Sequence, residues 1–483
     1  MLLRHSVIYL FSRGVPSLIS FATIIVYTRL LSPEAYGQYA LVVTGAILIN
    51  AILYQWLGAS LLRFFPRYLD NEADLLAAIL GAFISVSLLV GVGGTLFAIM
   101  WWDFVWGGMI AIGILLVWTQ AWFTINLEIV RSRLAPIRYG MISMLRAVLA
   151  FGLGVALVLW GYDAYGALTG LLVGFLVAGI WSSWGQWISF KEWRFNRELV
   201  KKLLNYGLPL TASFALSVVI SSTDRFMLAG IISESATGLY AASQGLAYQA
   251  VVVPMTMVNL AAYPLILRTL ESAGPDEART QLRKNAILLL GIGLPVTAGF
   301  IILAPNIAKI FLGNEFQVAG IELIPWFAIS ALLAGARAYY FDLAFYLGKR
   351  TRVQIVVMGL AALLNVVLNL WLIPVYGLLG AVYATVSSHG IAVVLSAILG
   401  RWAFRLPAMF GDVIRLLFAV LVMVVVLFLL PTGEGILSLV LPITVGGVVY
   451  LGCVVIFNLG GVREVVIRFF SQGKNFYKSH QSR

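Results

Sequence analysis

Apolar runs of about 20 residues recur along most of this chain, separated by short polar loops. A helix of about 20 residues crosses the ~30 Å hydrocarbon core of a bilayer, so each run is long enough to span a membrane. We count about 14 of them, from 8–30 and 38–60 at one end to 411–431 and 436–458 at the other. Composition excludes a soluble alternative. Hydrophobic residues make up 61% of the 483 and charged residues 11%, where a soluble surface needs roughly 25% charged. The expected fold is an all-α polytopic membrane protein. The start, Met1–Phe11, is basic and then apolar but has no small-residue cleavage site, so it reads as a retained first helix. Cys453 is the only cysteine, which excludes an intrachain disulfide and a cysteine metal site.

The net charge of +12 does not point to nucleic acid, because the basic residues sit in alternate loops. Arg63/Arg67, Arg131/Arg133/Arg138, Arg279/Arg283/Lys284, Lys349/Arg350/Arg352 and Arg401/Arg405 mark one side. Glu34, Asp103, Asp163, Glu234, Glu315 and Glu434 mark the turns between. Loops rich in Lys and Arg face the cytoplasm, so both termini are expected there. The basic, amphipathic connection 188–205 divides the chain. The expected organisation is an N-terminal lobe of six helices (1–187), this linker, a second six-helix lobe (206–405), two additional helices (406–460) and a basic tail (461–483).

Two short stretches repeat. Leu31–Ala40 parallels Ile232–Ala241, each following the first helix of a half and opening the second. Six spans separate them, so the halves are expected to run parallel about an axis along the membrane normal, with a substrate site at their interface. Asp224 and Arg225 lie within an apolar span of the second half. Ionisable groups at that depth are costly and are candidates for function.

At these residues the chain resembles the Wzx-type oligosaccharide and polysaccharide flippases, relatives of the lipid II flippases and the MATE exporters within the MOP superfamily. The stretches that carry the resemblance are Tyr27–Ala40, Tyr206–Pro209 with Asp224-Arg225, and Asn365 through Ile373–Ala381. The resemblance implies two lobes around a central cavity in a bacterial inner membrane. It also implies outward movement, by alternating access, of an undecaprenyl-diphosphate-linked oligosaccharide for O-antigen, capsule or exopolysaccharide export. Polysaccharide polymerase and chain-length proteins are partners it suggests.

Such a substrate presents a diphosphate, a glycan and an isoprenoid tail. Arginine suits the diphosphate, because its planar fork donates two hydrogen bonds to phosphate oxygens. The candidates are Arg225, Arg337, Arg13 and Arg146, each with an alternative: Arg225 as structural glue, Arg13 and Arg146 reaching to headgroups. Arg337 and Asp342 lie five residues apart, which places them off a common α-helical face and predicts separate partners. Gln244, Tyr248, Tyr339, Tyr340 and Asn259 are candidate glycan contacts, as are Asn50, Gln55, Gln120, Asn126 and Gln249. Asp224, Asp342 and His389 are candidates for pairing or for coupling to a proton or sodium ion, His389 having hydrogen-bonded packing as its alternative.

Other classes fit less well. A cation-coupled drug exporter calls for a carboxylate-dominated cavity, whereas the intramembrane charges here are mainly arginines. A membrane polymerase needs a sizeable catalytic loop, and the outward turns are only a few residues. There is no Walker loop, Ser/His/Asp set or metal-spaced cluster, so the chain reads as a non-enzyme without cofactor or metal. A lipid II flippase is the nearest alternative.

Overall fold

The computed structural model describes residues 2–68, 71–100, 104–187, 196–430, 435–461 and 463; the side chains of 2–13, 104–105, 210 and 461 lie outside that description. The described residues are nearly all helical and contain no strand. The helices are α1 (Leu2–Leu30), α2 (Pro33–Leu53), α3 (Gln55–Phe64), α4 (Glu72–Met100), α5 (Phe104–Ser132), α6 (Pro136–Leu157), α7 (Asp163–Ser183), α8 (Arg197–Ile231), α9 (Glu234–Ala273), α10 (Pro275–Ile302), α11 (Ala304–Phe311), α12 (Asn314–Ala336), α13 (Leu343–Leu347), α14 (Thr351–Gly400), α15 (Phe410–Leu429) and α16 (Leu437–Ile456). Among the described residues, 11 helical runs, some of them joining two of these helices, are long and apolar enough to cross a membrane, and Gly14–Leu30 is a shorter apolar helix.

Two of the 11 are double-length runs, Pro136–Ser183 and Thr351–Gly400. At about 1.5 Å per residue each exceeds twice the ~30 Å core, so neither can be one straight span. Glycine breaks both. Gly161 sits at φ 89° and Gly377 at φ 60°, a region where a Cβ would clash with the backbone. The arms α6 and α7 then pack against one another as a helical hairpin.

The repeat seen in the sequence has a structural counterpart. Ser32 Oγ accepts from the Ala35 N–H at 3.2 Å, and Ser233 Oγ accepts from the Ala236 N–H at 3.1 Å. Each serine satisfies an orphan donor of a helix start, and Glu34 and Glu234 place negative charge in the first turns. The two starts then meet. A Cβ on Gly37 would overlap the carbonyl oxygen of Glu234, and a Cβ on Gly238 would overlap that of Pro33. Pro33 and Gly37 occupy the same repeat positions as Glu234 and Gly238, so the crossing is reciprocal. Glu234 reinforces it by accepting from Gln38 at 2.7 Å and from the Trp106 indole at 3.1 Å.

Two compact units divide the chain: Met1–Leu246 with Leu312–Ala319 and Thr351–Ser388, and Ala247–Phe311 with Gly320–Arg350 and His389–Arg483. In the second, α10, α15 and α16 pack around Leu416, Ala419, Met423 and Tyr450, and the Tyr450 hydroxyl donates to the Gly291 carbonyl at 2.8 Å. In the first, residues 197–205 of the expected linker form the start of α8. Asn196 caps that start by accepting from the Leu199 N–H at 3.1 Å, and Leu199 and Leu203 are buried. Residues 188–195 of the linker, Asp103, Glu434 and tail residues 464–483 lie outside the described residues.

Candidate functional site

The first unit holds a half-open cavity of about 550 Å³ between α2, α3, α5 and α8, lined by apolar and polar side chains together. Gln120, Thr124, Glu128 and Arg131 follow one another along α5 at spacings of four, four and three, which sets them on one helical face. Asn50, Tyr54 and Gln55 line the opposite wall, with Arg63 and Tyr206 also lining it. The Asn50 amide donates to the Val117 carbonyl at 3.2 Å, which fixes α2 against α5. Arg131 pairs with Glu128 at 3.4 Å, and the Arg63 guanidinium lies 5.9 Å from the Tyr206 ring centroid.

A second chamber of about 270 Å³ shares Gln120 and Thr124 with the first. Arg146 is the one charged residue in its lining, alongside Ser17, Tyr139 and Ser143. The Arg146 guanidinium is held 5.0 Å from the Phe175 centroid and 5.9 Å from that of Phe123. The rings orient the cation without neutralising it. Of the four candidate arginines, Arg146 is the one that these chambers expose to a ligand. Arg13 falls among the side chains outside the description.

Asp224 and Arg225 are adjacent but serve different partners. Asp224 is wholly buried. Its Oδ2 accepts from the Tyr240 hydroxyl at 2.5 Å and from Thr385, and its Oδ1 accepts from the Asn369 amide at 2.6 Å. Arg225 instead donates to Thr44 Oγ1 at 2.6 Å and to Gln244 Oε1 at 2.7 Å. Asn365 and Asn369, one turn apart on α14, are both fully buried. The Asp224 carboxylate is thus met by two hydroxyl donors and one amide N–H donor. Among the described residues no group of three or more His, Cys, Asp or Glu could hold a metal.

In the second unit the expectation for Arg337 and Asp342 is overturned. Arg337 Nε and Asp342 Oδ2 lie 3.8 Å apart, both side chains almost fully buried. The cause is a π-turn over Arg337–Phe341, closed by the Asp342 N–H donating to the Arg337 carbonyl at 2.8 Å. In an i→i+5 turn, residues five apart stack where an α-helix would separate them. Ser396 Oγ donates to Asp342 Oδ1 at 2.7 Å.

The remaining candidates also have partners or positions in the packing. His389 Nε2 is 3.1 Å from the Tyr248 hydroxyl, which lies 3.4 Å from Ser330 Oγ. The Tyr339 hydroxyl and Thr256 Oγ1 are 2.6 Å apart. Tyr340 donates to the Pro407 carbonyl at 2.9 Å within an apolar cluster, and Asn259 is half-buried on α9. Sequence reasoning singled out Asn50, Gln55, Gln120 and Arg146, which line the chambers. It missed Glu128 and Thr124 altogether, and read Arg63 and Arg131 only as loop charges, because both end helices next to a basic loop.

Apolar helices around partly polar cavities, with a carboxylate buried at depth, define a polytopic membrane protein of the transporter class. The model described as "Polysaccharide biosynthesis protein" matches residues 2–270, and the chain belongs to that family. The model described as "Lipid II flippase MurJ" matches residues 138–446. The chain is similar to a Shigella flexneri protein named "Putative O-antigen transporter", 20% identical over 418 residues, covering 83% of this chain and 97% of that one. Its fold is similar to that of a lipid II flippase MurJ in an inward closed conformation, with TM-score 0.76 and 13% identity over 95% of this chain and all of the other. It is also similar to an inward-facing MATE multidrug transporter, with TM-score 0.63 and 17% identity over 82% and 97% of the two chains.

Proposed function

We propose that this protein flips a polyprenyl-diphosphate-linked oligosaccharide from the cytoplasmic to the outer leaflet of a bacterial inner membrane, for polysaccharide export. The observation that carries the reading is Arg146 in its chamber, joined through Gln120 and Thr124 to the larger cavity. A diphosphate cannot enter hydrocarbon as an ion without a compensating charge, and an oriented guanidinium supplies that charge with two parallel donors. In this reading the lobes 1–187 and 206–405 alternate access, both termini lie in the cytoplasm, and the product passes to a polymerase and chain-length proteins. No bond is made or broken. Arg225 and Arg337 would meet substrate only by exchanging their present partners.

The test is surface polysaccharide in cells whose own copy is deleted. Arg146→Ala is expected to lower export at least tenfold at unchanged membrane level, with Arg146→Lys intermediate. Full export by Arg146→Ala would remove the diphosphate assignment. The second reading is transport of lipid II, supported by the match of the MurJ model to residues 138–446. Vesicles loaded with lipid II or with a lipid-linked export unit separate the two by which headgroup becomes accessible outside. Asp224 is the group we assign to coupling, by a proton or a sodium ion. Asp224→Asn is expected to leave transport in reconstituted vesicles indifferent to both gradients, and a response equal to wild type would refute that role.

A further inference from the structure

A third cavity, of about 1040 Å³, lies in the first unit between α2, α4, α5 and α8. Trp106, Ile110, Gly113 and Val117 line it from α5, at spacings of four, three and four. Three and seven residues beyond Val117, the same helical stripe supplies Gln120 and Thr124 to the two chambers described above. The junction falls at Val117, whose carbonyl accepts from the Asn50 amide. The lining changes character there. Among the described residues no charged side chain lines the third cavity, and the Trp106 indole N–H, its one polar side-chain group, is donated to Glu234 at 3.1 Å. The chambers beyond the junction carry Arg63, Arg131 and Arg146 against Glu128, so taken together their linings are net positive.

A ligand that follows this stripe is apolar over one stretch and anionic at its end. A polar solute would leave its hydrogen-bonding groups unmet in the third cavity, which costs free energy. Resting on the flippase reading above, we propose that this cavity binds the polyprenyl chain of the lipid-linked substrate, over the isoprene units nearest the diphosphate. In that reading Arg63 and Arg131 end their helices at the cytoplasmic face. An inner-leaflet lipid with its headgroup at Arg146 then points its chain along α5 toward the cavity. Lipid chains are as apolar as leucine, so close packing holds the chain here, not escape from water. Packing selects by shape. At Gly93 an added Cβ would meet nothing within 4 Å, which leaves an open notch in the α4 wall. The branch methyls of a prenyl chain fill such a notch, and a straight acyl chain has none to offer.

The test uses the purified full chain in nanodiscs of phosphatidylglycerol and phosphatidylethanolamine. One probe is undecaprenyl diphosphate with a diazirine on an isoprene unit near the diphosphate; the other is phosphatidylglycerol with a diazirine on an acyl chain. Crosslinked residues are mapped by mass spectrometry. The prenyl probe is expected to label residues 41–53 and 106–117, and excess unlabelled undecaprenyl diphosphate to lower that labelling at least fivefold. Gly93→Leu, which fills the notch, and independently Ile49→Asn, which puts an amide on the α2 wall, are each expected to lower it at least fivefold at unchanged unfolding temperature. Labelling of these stretches by the phospholipid probe that undecaprenyl diphosphate does not displace would assign the cavity to bilayer lipid and overturn the proposal. Prenyl labelling that survives in both variants also overturns it. Specific capture of the prenyl probe elsewhere on the protein overturns it too, but leaves the flippase reading standing. Capture nowhere defeats both.

Discussion

Asp224 is surrounded by polar partners within the first unit. Tyr240, Thr385 and Asn369 all donate to it, and none of the four has appreciable exposure. Asp224→Ala would strip an acceptor from three buried donors, each costing about 1–3 kcal/mol when left unsatisfied. Thermal unfolding in detergent is expected to show a drop of several degrees or more, with Asp224→Asn intermediate because it keeps one acceptor. The pair Arg337–Asp342 behaves differently. Arg337→Met alone leaves a buried carboxylate, at a cost of roughly 3–5 kcal/mol, whereas Arg337→Met with Asp342→Leu removes both charges and should recover most of that loss. Equal destabilisation by the single and double changes would show that the pair is not the stabilising unit. At this scale the sequence was half legible. The polar face of Asn365 and Asn369 lies in their i,i+4 spacing, but Tyr240 and Thr385 lie 16 and 161 residues from Asp224, and no local pattern connects them.

Helices were read well where apolar length decides and poorly where local winding does. The runs 136–183 and 351–400 divide at glycines because a left-handed backbone is required there, and the turn around Gly377 was visible as Ile-Pro-Val-Tyr-Gly. The π-turn at Arg337–Phe341 had no such mark. Its one extra residue rotates everything after it by about a third of a turn, and this is what turned two residues expected apart into partners. Deleting one residue from Ala338–Phe341 should restore α-helical winding and set Arg337 and Asp342 at i,i+4 spacing on one face, so the pair should persist; a double-mutant cycle of Arg337→Met and Asp342→Leu in the deleted background is expected to read the same coupling as in the parent. The linker misled for a related reason. Its amphipathic pattern was real, but residues 197–205 use it to continue α8 against the first unit, where Ser60 Oγ donates to the Leu203 carbonyl at 2.8 Å.

For the whole molecule, family and membrane class were legible from hydropathy, loop charge and three short stretches, because a bilayer imposes length and sign on a sequence. The chambers were less so, since the larger one takes its lining from four helices spread between residues 47 and 214 of the chain. The reciprocal crossing of α2 and α9 is the feature at this scale most open to experiment. Gly37→Ala or Gly238→Ala places a methyl group against a carbonyl, and overpacking of that kind costs typically 1–3 kcal/mol. Either change is expected to lower both the unfolding temperature and export, while Gly230→Ala on the neighbouring α8, where a Cβ meets nothing, should change neither. The crossing has a further meaning for the history of the chain. Each copy of the duplicated stretch supplies both the notch and the ridge that fills the other's notch, so a bulkier residue in one copy has no compensating change available in its twin. The two ends of this duplication are therefore bound to remain alike at this one place, however far the rest of each half drifts.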